Sequence, residues 1–79
     1  MLPIGSHIYF YSHRDQDYFV GVFNSYAVNK KHYVLSGCTS VDGLTHYYNT
    51  TYVSIDKGFE SLDDAKKDRM IKRLKNYDK

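Results

Sequence analysis

The most reactive side chains of this chain belong to its one cysteine and to three of its four histidines. Cys38 is the only cysteine, with His13 and His32 before it and His46 after it. Thiolate and imidazole groups bind zinc, but none of these residues stand at the short spacings that structural zinc sites use. Cys38 with His32 or His46 would also suit a nucleophile and its base. Because so short a chain offers little depth for a pocket that excludes water, we predict no metal, no cofactor and no enzymatic activity.

The length and the single cysteine limit the architecture. The 79 residues allow one domain, 1–79, since a chain this short buries only about 60–65% of the surface that its unfolded form exposes. A lone cysteine excludes an internal disulfide and favours a reducing compartment. No apolar run approaches the roughly 18 residues that cross a bilayer, and the first residues lack the features of a signal peptide. We therefore predict a cytoplasmic protein with no membrane partner.

Alternating apolar and polar residues predict a first hairpin. The first strand covers 6–12 and directs Ile8 and Phe10 to the core, with tyrosines on its other face. A polar loop of hairpin length leads into a second strand at 18–27. Gly21 in that strand indicates a sharp bend, or the close approach of another backbone, as at the corner of a small barrel.

The second half of the sheet is predicted from three stretches. The third strand covers 32–36, and small or turn-forming residues predict a loop at 37–43. Residues 45–55 contain no Gly, no Pro and no formal charge, and their β-branched and aromatic side chains favour one long strand. We expect its Val53 and Ile55 end to be buried. The other face, which we expect to be partly solvated, carries His46, Tyr48, Thr50, Tyr52 and Ser54.

The C-terminal residues predict one helix over 62–76. Ser61 suits the N-cap, and the acidic residues that follow complement the helix dipole. An apolar stripe at the helical period is expected to cover the sheet and complete its core. The stripe consists of Met70, Ile71, Leu74 and Tyr77.

These elements predict an α+β fold: a curved antiparallel sheet of four or five strands within 1–58, followed by an amphipathic helix within 59–79. The run from Gly5 through Ile8 and Phe10, a polar loop, and then Tyr18 to Phe23 resembles the first two strands of SH3-like small barrels, including Tudor-type and ribosomal-protein-type modules. The resemblance covers residues 5–23. It implies binding to peptides, modified tails or nucleic acid without catalysis.

The favoured functional hypothesis is stoichiometric binding to a protein partner of unknown identity. Nine tyrosines offer large contact areas that end in a hydrogen-bonding group, which is typical of interfaces. A phage or mobile-element inhibitor of a host protein fits this composition, as does self-association through an unpaired edge strand. The candidate protein-binding residues are Tyr9, Tyr11, His46, Tyr47, Tyr48 and Tyr52.

The alternative hypothesis is a module that binds single-stranded DNA or RNA. The net charge of +2 is small, but the excess of bases lies in the last 21 residues, with seven bases against five acids. A basic helix beside exposed tyrosines would hold phosphates while bases stack on the rings. The candidate nucleic-acid-binding residues are Lys66, Lys67, Arg69, Lys72, Arg73 and Lys75. The same bases also suit the solvated side of a helix near its C-terminus.

Overall fold

A computed structural model describes the backbone of residues 2–77 and the side chains of residues 2–74. Its elements are β1 (His7–Ser12), β2 (Asp17–Tyr26), β3 (His32–Ser40), β4 (Thr51–Ser54) and α1 (Leu62–Tyr77). The strands form one antiparallel sheet in the order β1-β2-β3-β4. The sheet is curled, so the predicted α+β class and the curved sheet with a C-terminal helix are confirmed, with four strands. Within residues 2–77, no helix has the length and apolarity that crossing a membrane requires.

The core lies on the inner face of the curled sheet. Ile8 and Phe10 are buried, as their alternation in β1 predicts, and Phe19 of β2 is fully buried between Phe10 and the following strands. The cluster consists of Ile8, Phe10, Phe19, Phe23, Leu35, Cys38 and Val53. These side chains come from all four strands, so the sheet itself supplies its core without the helix.

Gly21 lies where β2 bends. The register of β2 against β3 shifts between Val20 and Val22. A Cβ atom added at Gly21 would lie 2.5 Å from the Cys38 sulfur and 3.0 Å from the Leu35 Cβ atom. A close approach at Gly21 is present, but the predicted neighbour is wrong, because side chains of β3 and not another backbone approach it.

The predicted loop at 37–43 is wrong in its first half. The chain continues as β3 to Ser40, with Gly37 in the left-handed region at φ 58°. Cys38 and Ser40 are buried. The turn comes after them, where the Ser40 hydroxyl and the Leu44 N–H both donate to the Asp42 carboxylate. These hydrogen bonds lower the pKa of Asp42, so the carboxylate that organises the turn stays ionised.

The predicted strand at 45–55 is interrupted. Its first part pairs with the end of β3, because the Ser40 N–H donates to the Thr45 carbonyl and the Tyr47 N–H to the Cys38 carbonyl, both at 2.8 Å. Its last part is β4, which pairs with the beginning of β3. Residues 48–50 leave the edge between them. Val53 is buried as expected, whereas Ile55 is exposed, because the strand ends before it.

The helix begins as predicted but presents a different face to the sheet. The Asp64 N–H donates to the Ser61 hydroxyl at 3.1 Å, which confirms the N-cap. Helix α1 contacts β1, and Ala65 is its buried residue. The predicted stripe of Met70, Ile71 and Leu74 is 52–62% exposed, so its burial in the core is wrong.

Two structural facts explain this error. The inner face is already filled by strand residues, which leaves no core for the helix to complete. The helix lies instead against the tyrosine face of β1, where the small Ala65 permits close approach and the Arg69 guanidinium lies over the Tyr11 ring. At 3.6 residues per turn, Ala65 and Arg69 lie on roughly the opposite side of the helix from Ile71. The side chain of Tyr77, the last predicted member of the stripe, lies outside the described residues.

Gly21→Ala tests the contact at the bend. We expect it to lower the free energy of unfolding by about 1–3 kcal/mol, because the added methyl group overlaps the Cys38 sulfur. Urea denaturation would measure this loss. In the Gly21→Ala/Cys38→Ala double variant the sulfur is gone, so we expect the total loss to be smaller than the sum of the single losses by at least about 0.5 kcal/mol. Strictly additive losses would contradict the proposed overlap.

Candidate functional site

An open groove of about 890 Å³ runs between the two edges of the sheet. We call it the aromatic groove. Strand β1 supplies Phe10, Tyr11 and Ser12 to its wall, and β4 supplies all four of its residues. The remaining lining residues are His13, Arg14, His32, His46, Tyr47, Tyr48, Asn49, Thr50 and Lys57. The curl of the sheet thus brings residues that are far apart in the sequence into one surface.

Five of the six predicted protein-binding residues line the aromatic groove. They are Tyr11, His46, Tyr47, Tyr48 and Tyr52. The sixth, Tyr9, does not line it. The backbone of Tyr9 is instead paired with Phe59 through two hydrogen bonds, of 2.6 and 2.8 Å, and this pairing attaches the segment before the helix to β1.

Tyr47 has a structural position within the groove. One face of its ring stacks on Phe19 with centroids 4.7 Å apart, and the Arg14 guanidinium lies 4.8 Å from its centroid. Its hydroxyl donates to the Asp15 carboxylate and contacts the Ser12 hydroxyl at 3.1 Å. Both faces and the polar end of this ring already have partners, so Tyr47 shapes the floor of the groove.

Tyr48 and Tyr52 are placed differently, because their side chains are 95% and 63% exposed. Tyr48 stands in the loop at 48–50, where its ring stacks on His46 at 6.3 Å between centroids. Tyr52 projects from β4 on the solvated face, as the alternation predicts. Large aromatic side chains in this position contribute binding area when a partner covers them.

Both strands that border the groove also carry main-chain groups that point away from the rest of the sheet. The Ile55 N–H donates to the Lys31 carbonyl at 3.0 Å, and Lys31 directly precedes β3. Since main-chain groups alternate along a strand, the N–H and C=O of Tyr52 and Ser54 point away from β3. The Ser54 carbonyl accepts a hydrogen bond from the Lys57 N–H at 2.9 Å, so the edge that β4 offers consists of the Tyr52 groups and the Ser54 N–H. In β1, the N–H of Tyr9 points away from β2 towards Phe59, so the N–H and C=O of Tyr11 also point away from β2. The groove is therefore bordered by two strand edges.

A second cavity, of about 270 Å³, adjoins the aromatic groove between β1 and α1. We call it the basic cleft. It shares Tyr11, His13 and Lys57 with the groove. Its other lining residues are Phe59, Ala65, Asp68, Arg69, Lys72 and Arg73. The helix thus adds a positively charged extension to one end of the aromatic surface.

Two contacts fix the charged groups of the basic cleft. The Arg69 guanidinium lies 3.6 Å from the centroid of the Tyr11 ring, a cation–π contact that also joins the helix to the sheet. Lys72 and Asp68 form an ion pair of 2.9 Å, as the i,i+4 spacing predicts. The pKa of Asp56 is lowered, chiefly by the Ser54 hydroxyl and also by the positive charges of Lys72 and Lys57.

The predicted nucleic-acid-binding residues divide into three groups. Arg69, Lys72 and Arg73 line the basic cleft. Lys66 lies over the Tyr18 ring, 5.9 Å from its centroid, and Lys67 is exposed and lines neither the groove nor the cleft. The side chain of the sixth candidate, Lys75, lies outside the described residues.

Among the residues of this surface that the sequence prediction missed are three from loops. His13, Arg14 and Lys57 come from the loops that follow β1 and β4. Arg14 appears in the sequence as an ordinary hairpin-loop residue, and only the fold brings it over Tyr47. Arg14 and Tyr47 lie far apart in the sequence, so no local pattern indicates that they are in contact. Lys57 in the Asp-Lys-Gly turn likewise has no distinguishing pattern.

The cysteine and the histidines are separated by the fold. His13, His32 and His46 line the aromatic groove, whereas Cys38 lies fully buried in the core. Burial raises the pKa of the Cys38 thiol, and a hydrogen bond with Thr51 offsets this only in part. A protonated, buried thiol is a poor nucleophile. Within the described residues, no three His, Cys, Asp or Glu side chains are grouped so that they could hold a metal ion.

Comparisons with protein-family models, with curated proteins and with solved structures found no match to this chain. Its function is therefore inferred from the geometry and chemistry of its own residues.

Substitution of the neighbouring residues Tyr47 and Tyr48 should change the free energy of unfolding by very different amounts. We expect Tyr47→Ala to lower the free energy of unfolding by about 2–3 kcal/mol, because it removes a stacked ring and a hydrogen-bonded hydroxyl. Tyr48→Ala should change it by less than about 0.5 kcal/mol, since that side chain is exposed. Urea denaturation of both variants provides the measurement. Equal losses would show that Tyr48 is also part of the scaffold.

Proposed function

We propose that this protein is a non-enzymatic binding module that holds an extended segment of a protein partner in the aromatic groove. The observation that carries the proposal is the pair of strand edges on the two sides of one groove. Main-chain groups of Tyr11 on one side, and of Tyr52 with the Ser54 N–H on the other, point away from the neighbouring strands at the two borders of the groove. A segment in β conformation offers matching N–H and C=O groups, as in other cases of strand addition.

The side chains around these edges support binding specificity. An added strand directs alternate side chains to opposite faces, where they meet different surfaces. Tyr48 and Tyr52 are exposed beside the groove and suit the role of aromatic anchors, since tyrosine is enriched among residues that dominate binding energy. Tyr47 contributes a rigid floor. In this proposal the interaction is stoichiometric, and the exposed side chains of the groove act through binding contacts.

Binding to single-stranded nucleic acid is the second candidate. The observation that favours it is the continuity of the basic cleft with the tyrosines of the groove. The occupied ring faces weigh against it. The guanidinium groups of Arg69 and Arg14 cover Tyr11 and Tyr47, and Phe19 covers the other face of Tyr47. The Tyr47 ring and one face of the Tyr11 ring are therefore not available as stacking platforms for bases, which such modules use.

Several finer features belong to the same proposal. A curled antiparallel sheet that binds an extended peptide agrees with the resemblance to SH3-like small barrels. An inhibitor from a phage or mobile element that acts on a cytoplasmic host protein would use such a surface, and this identity of the partner stays a prediction. A second copy of the chain could offer its own β4 edge, so self-association is the homotypic form of the same interaction.

A proline at position 54 tests strand addition directly. We would select peptides on the immobilised protein from a displayed library of random sequences and measure the affinity of a selected peptide by calorimetry. Ser54→Pro removes an N–H that points away from β3, so β4 should still pair with β3. We expect Ser54→Pro to weaken peptide binding about tenfold or more, because a main-chain hydrogen bond is lost and the ring blocks close approach.

Ser54→Ala is the matched control, since it removes the same hydroxyl bonded to Asp56 but keeps the N–H. We expect its affinity to equal that of the wild type. Circular dichroism should show both variants folded. Equal affinities of folded Ser54→Pro and Ser54→Ala would contradict strand addition at β4. Binding of oligothymidylate at low ionic strength, with no selected peptide, would favour the second candidate, because phosphate contacts are strongest there.

A further inference from the structure

The basic cleft gathers positive charge that the fold alone does not require. Lys57 comes from the segment between β4 and α1, and Arg69, Lys72 and Arg73 come from the helix. Bases on the solvated side of a helix normally separate, because like charges repel. Here they converge with Lys57 on one cavity at the junction of the helix and the sheet. A cleft lined by one sign of charge concentrates the potential that attracts counter-ions.

The carboxylates nearby do not balance this charge. Asp68 is the acidic residue among the described residues that line the cleft, and it is paired with Lys72 at 2.9 Å. Asp56 does not line the cleft, but its carboxylate interacts with the positive charges of Lys72 and Lys57. Four bases line the cleft against these two carboxylates, so an excess of positive charge remains. No carboxylate of the described residues lines the adjoining aromatic groove. The combined surface therefore complements an anionic ligand.

Arg69 is held in an orientation suited to such a ligand. Its guanidinium lies 3.6 Å from the centroid of the Tyr11 ring, and the ring contact leaves the N–H groups at the edge of the guanidinium plane for other partners. Those groups form a planar fork that matches the oxygens of a carboxylate or a phosphate. Arg73 stands one helical turn further and lines the same cleft. Less conformational freedom is lost when an anion binds to a side chain that is already fixed.

We propose that the basic cleft is an oxyanion-binding subsite that receives a phosphate or carboxylate group of the protein segment in the aromatic groove. The claim that a protein segment supplies the anionic group rests on the proposed function, whereas the claim that the cleft binds an oxyanion does not. The three residues that the two cavities share place the subsite at one end of the groove. The expected partner segment is therefore acidic, with an aspartate, a glutamate or a phosphorylated side chain where it passes Arg69.

Small anions test the subsite without any partner. We would record two-dimensional amide and guanidinium nuclear magnetic resonance spectra of the full chain while adding O-phosphoserine, inorganic phosphate or glutamate, with sodium chloride keeping the ionic strength constant. Saturable shifts should appear at Arg69, Arg73 and Lys57. Arg73→Gln should weaken binding about tenfold, the usual loss for one charge-assisted hydrogen bond. Lys67→Gln is the matched control, since it removes the same charge from the same helix outside the cleft.

The outcomes separate the claims. Phosphoserine binding more tightly than glutamate identifies a phosphorylated segment, and equal affinities identify an acidic one. Shifts that never saturate, or equal effects of Arg73→Gln and Lys67→Gln, would overturn the subsite. The two proposals can also fail separately. If anions bind saturably but Ser54→Pro leaves the peptide affinity unchanged, the anion subsite stands and strand addition in the groove is rejected. A different result would be that oligothymidylate binds much more tightly than phosphoserine, with Tyr48→Ala weakening that binding. This result would identify nucleic acid as the source of the anion and overturn the proposal that a protein segment supplies it.

Discussion

The close packing of β2 against β3 at Gly21 is the constraint on which the rest of the structure depends. Only a residue without a side chain leaves room there for the Cys38 sulfur and the Leu35 side chain. The register shifts beside it allow the sheet to curl around its own core, as bulges do in small barrels. Because four strands form the curl, its two ends, β1 and β4, border one groove. The candidate site is therefore the open space between the first and the last strand of the curled sheet.

The helix is joined to this sheet by few contacts, and they lie on its outer surface. The pairing of Tyr9 with Phe59 fixes the segment before the helix, and Ala65 and Arg69 hold its first half against β1. This arrangement has two consequences. The basic residues of the helix lie beside the tyrosines of β1, which joins the charged and aromatic surfaces. The apolar residues Met70, Ile71 and Leu74 lie on a face that the described strands do not cover.

Local patterns predicted the features that depend on neighbouring residues. The alternation of apolar and polar residues predicted that Ile8 and Phe10 are buried, and Ser61 before two acidic residues predicted the N-cap of the helix. The tyrosine-rich stretch was also recognised as part of a surface, since most of the proposed residues line one groove. These features were accessible because hydrophobic period and capping act over a few residues.

Features decided by distant contacts could not be predicted in the same way. Tyr47 and Tyr48 look equivalent in the sequence, yet Phe19 and Arg14 pack against Tyr47 and partly bury it, whereas Tyr48 stays exposed. The composition at Gly37 indicated a loop, but pairing with β2 and with residues 45–47 continues β3 to Ser40. Apolar content predicts the stripe of Met70, Ile71 and Leu74 as the buried face of the helix, whereas Ala65 and the Arg69 guanidinium make the contacts with β1.

Amide hydrogen exchange with a selected peptide bound would test strand addition most directly. If the peptide adds to the edges of the groove, its main chain will accept hydrogen bonds from amides that point away from the neighbouring strands. We expect exchange at Tyr52 and Ser54 of β4, and at Tyr11 of β1 where the peptide spans the groove, to slow on binding, with little change at Lys67. Slowed exchange confined to the helix, with Tyr52 and Ser54 unchanged, would contradict strand addition and place the partner elsewhere.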